Sequence, residues 1–325
     1  MDDINKVSVI IPIYGVEKYI ERCARSLFQQ TMKTGIEFIF VNDATIDNSM
    51  EILGKVISEF PERKDQIKII NHKENRGLAA GRKTGIKSAS GEYIIHCDSD
   101  DWVEPDIYQS LYNAALENKS DMVICDYYVN FDESEKIISQ NIPADKNLIL
   151  NNLLAGNIHN NVWSKLIRRS IYEKLKGGYE EGINMWEDVS VISRLAYYCN
   201  NISYVPKPLY HYSQINSNAY TQKWKPLYTD NILRAVDLNR VFFKDKGIST
   251  KFLEQRAYLS ILSHTKGEER KKYLRNFKKD LEDEKVYYAN LSLYGKVLAW
   301  CLFNSHNILA NNIMALKKIL VKLGR

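Results

Sequence analysis

Tyr93-Ile94-Ile95-His96-Cys97-Asp98-Ser99-Asp100-Asp101 sets a nearly apolar run against three carboxylates. The first part reads as a strand buried on both faces, the second as the loop at its carboxyl end. In an open α/β sheet, ligands bind at that end of the strands. Crowded carboxylates repel until something positive neutralises them, and hard divalent ions such as Mg²⁺ or Mn²⁺ take carboxylate together with phosphate oxygens. A metal-bound diphosphate is the natural occupant of such a loop. The competing reading is an acidic turn capping the helix that opens at Pro105, through Asp101 or Glu104.

Outward from this stretch, strands and helices alternate. Val7–Ile13, Val-Ser-Val-Ile-Ile-Pro-Ile, has the continuous apolarity of a buried parallel strand. Val16, Tyr19, Ile20, Cys23 and Leu27 recur at helical spacing, and 37–41 reads as a second strand. Asp47-Asn48 can cap a helix bearing Met50, Leu53, Val56, Ile57 and Phe60, with Glu51 completing a capping-box pattern. A strand over 67–70 and a glycine-bearing helix over 77–89 lead back to the opening stretch. Beyond it, the spacing predicts a helix over 106–117, a strand over 122–129 and a polar loop over 132–147. Helices near 160–175 and 187–199 follow, then a strand over 202–205 and the segment 208–212. This alternation predicts an α/β fold with a mostly parallel, doubly wound sheet flanked by helices, ending near Tyr220.

After Pro226 only helical periodicity with charge clusters such as 268–279 remains, which predicts a helical subdomain over 221–325. Past Glu284 there is no acidic residue, while Lys285, Lys296, Lys317, Lys318, Lys322 and Arg325 are interleaved with apolar and aromatic residues. That pattern fits a basic amphipathic element on an anionic membrane surface, and equally a helix packed on the domain with a solvated basic face. A net charge of +5 over 325 residues is too small to imply nucleic acid without a supporting motif. Cys23, Cys97, Cys125, Cys199 and Cys301 show neither disulfide nor zinc spacing, which predicts free thiols in a reducing compartment. The polar start, without an apolar run long enough to span a bilayer, predicts a cytoplasmic protein, with the inner face of the plasma membrane as a peripheral site.

Two further residues end strands. Asp43 can accept the imino hydrogen of uracil, and the Tyr14 ring can stack on a base. Taken singly, Asp43 is a turn residue and Tyr14 a packing residue. Their company decides: residues 7–14 (Val-Ser-Val-Ile-Ile-Pro-Ile-Tyr), 41–49 (Val-Asn-Asp-Ala-Thr-Ile-Asp-Asn-Ser), 75–82 (Asn-Arg-Gly-Leu-Ala-Ala-Gly-Arg) and 91–101 resemble family 2 glycosyltransferases of the bacterial surface-polysaccharide type. Four motifs in order span roughly the first third of the chain.

The resemblance implies a GT-A fold with a nucleotide-binding half over 1–100, an acceptor-binding half over 101–220 and a C-terminal helical extension. It implies an inverting transfer from a nucleotide-sugar donor, usually UDP-linked, with Mn²⁺ or Mg²⁺ as cofactor. The acceptor implied is a glycan or lipid-linked glycan in cell-surface polysaccharide assembly. Carried over by motif, Pro12, Tyr14, Glu17, Asp43, Asp47, Arg82, Asp98, Ser99 and Asp100 bind the donor, and Asp98 with Asp100 hold the metal. The family usually has asparagine after the motif arginine, whereas Lys83 stands here.

An inverting transfer needs a base for the acceptor proton. The family places it in a Glu-Asp pair opening a late helix, which Trp186-Glu187-Asp188 matches, so Asp188 is the base candidate and Glu187 its acceptor-side neighbour. The plain alternative is an acidic helix start favoured by the macrodipole. Asp101 and Trp163 join the acceptor side by the same resemblance, although Trp163 also reads as a core residue. His211 is a metal candidate against an ordinary structural role. Two rivals compete with transfer. One is a phosphatase-like hydrolase using Asp98 and Asp100, a motif such enzymes carry on the first strand; the other is a sugar or nucleotide binding module without turnover.

Overall fold

The computed structural model describes residues 5–176, 178–216, 224–280, 293–303 and 306–322. β1 (Val7–Ile13), α1 (Ile20–Phe28), β2 (Ile36–Asn42), α2 (Ser49–Glu59), β3 (Ile67–Asn71), α3 (Leu78–Ser88) and β4 (Tyr93–His96) alternate as the pattern predicts. Strands β3, β2, β1 and β4 lie side by side and parallel. Val7, Val9, Ile11 and Ile13 of β1 pack with Leu27 and Phe28 of α1 and Leu53 of α2. Each such buried side chain contributes about 1.5–3 kcal/mol. The intervening Ile10 faces the other side, against α3. There Gly85 permits close approach, since a Cβ on it would collide with the Ile10 side chain.

Beyond β4, antiparallel strands join a sheet that stays mostly parallel. After β4 come β5 (Trp102–Val103), α4 (Ile107–Glu117), β6 (Met122–Asn130), β7 (Glu135–Ile138), α5 (Lys146–Ala155), β8 (Lys165–Arg168), α6 (Arg169–Lys174), α7 (Glu187–Tyr198) and β9 (Ile202–Ser213). The nine-stranded sheet has the order β3-β2-β1-β4-β8-β6-β9-β5, with β7 added on β6. β8 runs antiparallel to both β4 and β6, so the sheet is mixed in this half.

Several predicted boundaries are corrected. The expected loop over 132–147 contains β7 and the start of α5, which Asp145 caps by accepting from the Leu148 amide at 2.7 Å. The expected helix near 160–175 is β8 followed by α6, because Lys165 faces the interior with its charge internally hydrogen-bonded. Segments 202–205 and 208–212 are one strand, interrupted by a register shift opposite 125–127. The predicted capping box at α2 does not form. Asp47 accepts from the Ser49 amide at 3.1 Å, and Glu51 pairs with Lys55 instead.

The C-terminal part is helical, as expected: α8 (Leu227–Phe243), α9 (Lys251–His264), α10 (Gly267–Asp280), then helices Leu293–Phe303 and Asn307–Lys322. Ile232, Phe243, Leu253 and Ile261 join Leu153 and Leu195 of the main domain in one apolar cluster. Leu262, Phe277, Leu298, Leu302 and Ala310 form a smaller one. Tyr220, Lys285 and Arg325 lie outside the described residues, as do the side chains of Lys317, Lys318 and Lys322. Among the described residues, no helix is long and apolar enough to cross a membrane. All five cysteines are unpaired and buried.

Candidate active site

The parallel strands deliver four loops to one edge of the sheet, beginning at Tyr14, Asp43, His72 and Cys97. The first two are laced together. Amides of Gly15, Val16 and Glu17 donate to Thr45 Oγ1 (2.9 Å), Ser49 Oγ (3.1 Å) and Asp47 Oδ2 (2.9 Å), while Glu17 Oε2 accepts from the Asn48 amide at 3.1 Å. Burial works against the charge on Asp47, but hydrogen bonds from Ser49, Thr45 and the Glu17 amide outweigh it and hold this carboxyl below its ordinary range. Tyr14 stands at the rim with 49% of its surface exposed. Pro12 is buried within β1, across from Gly81 of α3.

Asp43 is buried and organises the third loop. Its Oδ1 accepts from the Arg76 amide at 2.9 Å, its Oδ2 from the Gly77 amide at 2.7 Å, and His72 Nδ1 lies 2.6 Å from Oδ1. Gly77 (φ +87) is required at that turn, because a Cβ there would strike the Asn184 side chain. His72 escaped the sequence reading, although it begins the loop after β3 beside the strand that ends at Asp43.

The acidic loop divides its carboxylates between surface and interior. Asp98 Oδ1 receives Arg82 Nη2 at 2.7 Å, and a quarter of its side chain is exposed. Asp100 Oδ2 accepts from Asn216 Nδ2 at 2.8 Å. Burial and the neighbouring charge of Asp98 push Asp100 above the ordinary carboxylate range. Ser99 is buried. Asp101, only 1% exposed, accepts from the Ser213 amide and from the Tyr210 hydroxyl, both at 2.7 Å. Tyr210 Oη in turn accepts from the Asp98 amide at 3.0 Å, so Asp101 holds the loop through Tyr210 from a buried position. No motif marks Tyr210 or Asn216 for this arrangement, which packing alone creates.

Arg82 spans the cleft floor. While Nη2 reaches Asp98, Nη1 reaches Glu187 Oε1 at 2.5 Å, with only 2% of the residue exposed. Burial opposes its charge, yet Asp98 and Glu187 keep the guanidinium firmly protonated. Lys83, beside it, points to Glu181 at 4.0 Å. Glu187 opens α7 directly after Trp186, which adopts a left-handed φ of 63°. Burial and the charge on Asp188 push Glu187 above its ordinary range against the pull of Arg82. Asp188 Oδ1 accepts from the Val189 amide at 2.7 Å. Burial raises this carboxyl too, while Arg82, Lys165 and Arg256 pull it back. A carboxylate poised upward in this way is a competent proton acceptor.

Trp163 is 5% exposed and stacks on Tyr210 at 4.2 Å between ring centres, so its faces are spent in the core. His211 is sandwiched between Trp102 and Tyr128, and its Nε2 lies 2.8 Å from Glu104 Oε1. Its Nδ1 lies 3.2 Å from Asn130 Oδ1, so both ring nitrogens have partners other than Asp98 and Asp100. Among the described residues, no group of three or more His, Cys, Asp or Glu side chains forms a complete cation site. Asp98 and Asp100 nevertheless fit a divalent ion whose remaining ligands come from a diphosphate, since both crowd negative charge at the cleft.

The family model described as Glycosyl transferase family 2 matches residues 8–176. "Putative glycosyltransferase EpsH" of Bacillus subtilis is 33% identical over 74% of this chain and 69% of its own length. "Glycosyltransferase GlyA" of Streptococcus pneumoniae is 30% identical over 72% of this chain, which corresponds to 34% of that longer protein. The crystal structure of S. aureus TarS residues 1–349 in complex with UDP-GlcNAc superposes with a TM-score of 0.68 over 96% of this chain and 91% of that fragment at 16% identity, a likeness of fold. This chain belongs to glycosyl transferase family 2. It is a glycosyltransferase, which sets aside the hydrolase and the silent binding module.

Proposed function

We propose that the protein transfers a sugar, with inversion, from a UDP-linked donor to a hydroxyl of a lipid-linked glycan during cell-surface polysaccharide assembly. The observation carrying this reading is the Arg82 bridge. It ties Asp98, at the end of the fourth strand, to Glu187, at the start of α7, and so joins the donor carboxylates and the base pair in one cleft. Tyr14 offers an exposed ring for the base, and Asp43, Asp47 and Glu17 hold the loops that frame it.

Mn²⁺ or Mg²⁺, held by Asp98 and Asp100, would neutralise the leaving diphosphate. The acceptor oxygen attacks the anomeric carbon as the bond to the diphosphate breaks, and Asp188 takes the hydroxyl proton. Glu187 is spent on Arg82 and sets the pitch of α7 rather than touching the acceptor. Asp101 and Trp163 likewise act from inside, through Tyr210. The helical extension meets the cytoplasmic face of the membrane: Leu293, Val297 and Trp300 recur on one exposed face of the helix Leu293–Phe303, with Lys296 beside them.

Asp188→Asn tests the assignment. It should abolish transfer, a loss of at least about 10²-fold, while nucleotide-sugar binding stays within a small factor of wild type. Loss of donor binding in this variant would remove Asp188 from the base role.

A further inference from the structure

A pocket of about 560 Å³ opens between α9 and the last two helices, and Trp186, which directly precedes the Glu187–Asp188 pair, is among its lining residues. Leu259, Leu298 and Met314 contribute apolar wall, whereas Arg256 and Lys266 contribute positive charge. Among the described residues, no carboxylate lines the pocket. Arg256 is a built feature rather than a chance surface cation. Its guanidinium donates to the carbonyls of Leu153 and Leu154 at 3.2 Å and lies 5.4 Å from the Trp186 ring centre. It also packs over Gly156 (φ +79), where any Cβ would collide with it.

Burial lowers the Arg256 pKa to about 10, with Asp188 the opposing charge, so this cation is short of counter-charge where it sits. An apolar pocket with a partly buried guanidinium and a lysine suits an amphiphile carrying an anion. A neutral sugar chain would leave Arg256 with carbonyl and ring contacts alone and bring no negative charge to either cation.

We infer that this pocket binds the phosphate or diphosphate of a lipid-linked acceptor, with Arg256 and Lys266 holding the anion and the apolar wall taking the first part of the chain. The acceptor's first sugar then lies over Trp186, two residues before Asp188, which limits the acceptor to a short glycan near its lipid anchor. The inference rests on the transferase reading and deepens it.

Calorimetric titration of the full chain with decyl phosphate, kept below its micelle concentration, tests the site directly. Decyl maltoside supplies a tail without the anion, and glycerol phosphate the anion without the tail. Decyl phosphate should bind at least about ten-fold more tightly than either control, the worth of one charge-assisted contact. Lys266→Glu reverses a charge at an exposed position, and Ala315→Trp fills the pocket from an exposed helix position. Each should weaken decyl phosphate binding by about ten-fold.

Equal binding of decyl maltoside, equal binding of glycerol phosphate, or wild-type affinity in both variants would overturn the inference, as would no binding of decyl phosphate at all. Nucleotide-sugar binding by the unaltered protein is titrated separately. Donor binding without decyl phosphate binding removes the pocket and leaves the transferase reading in place; decyl phosphate binding without donor binding does the reverse.

Discussion

Replacing Arg82 with methionine keeps most of the side-chain volume and deletes the charge that joins Asp98 to Glu187. In a buried ion network, removal of one partner strands the others, at a cost of about 3–5 kcal/mol. Glu187 carries most of that cost because it is the more buried, with 10% of its side chain exposed against 26% for Asp98. Glu187→Gln in the Arg82→Met background removes the stranded charge, so the double variant should be more stable than the summed single effects predict, by about 0.5–3 kcal/mol. Urea unfolding followed by tryptophan fluorescence measures all three variants. A cost below about 1 kcal/mol for Arg82→Met, or strict additivity with Glu187→Gln, would refute the bridge as the tie between α3, β4 and α7.

Two more predictions follow the same geometry. Lys165 is fully buried, and its ammonium donates to His159 O (2.7 Å), Asn161 O (2.8 Å) and Asn161 Oδ1 (2.9 Å), while burial lowers its pKa from 10.5 to about 7. The folded protein thus releases this proton near pH 7 and the unfolded chain only near 10.5, so the lysine's contribution to stability grows as pH rises through that window and is lost as pH falls back to 7. Relative to Lys165→Met, wild type should gain on the order of a few kcal/mol across it in urea titrations; parallel pH profiles would contradict this. Replacing Leu293, Val297 and Trp300 together with serine should sharply reduce flotation with anionic liposomes, and undiminished flotation would remove that helix face as the membrane contact.

The N-terminal half of the fold was legible because each strand is long and continuously apolar, and each ends in a motif at the same edge of the sheet. β7 and β8 were not legible: each has four residues, and β8 mixes two buried aliphatics with Lys165 and Arg168, whose charges find partners only in the folded chain. The site was legible in its parts and not in its wiring. Asp98, Arg82, Glu187 and Asp188 stood out by motif, but that Arg82 bridges residues 16 and 105 positions away is a tertiary fact. The inward contacts of Trp163, Asp101 and His211 are tertiary facts of the same kind. Nothing local revealed that Tyr210 covers Trp163 and caps Asp101, or that Trp102 and Tyr128 enclose His211. Arg256 lies in a helix without a motif, and only packing brings it to Trp186.

Binding and turnover of a panel of UDP-, GDP- and dTDP-sugars, with and without Mn²⁺, test the central claim most directly. Metal-dependent binding and slow hydrolysis of UDP-sugars, with one sugar preferred, is the predicted result. Absence of metal-dependent binding to every donor in the panel would contradict a nucleotide-sugar site built on Asp98 and Asp100.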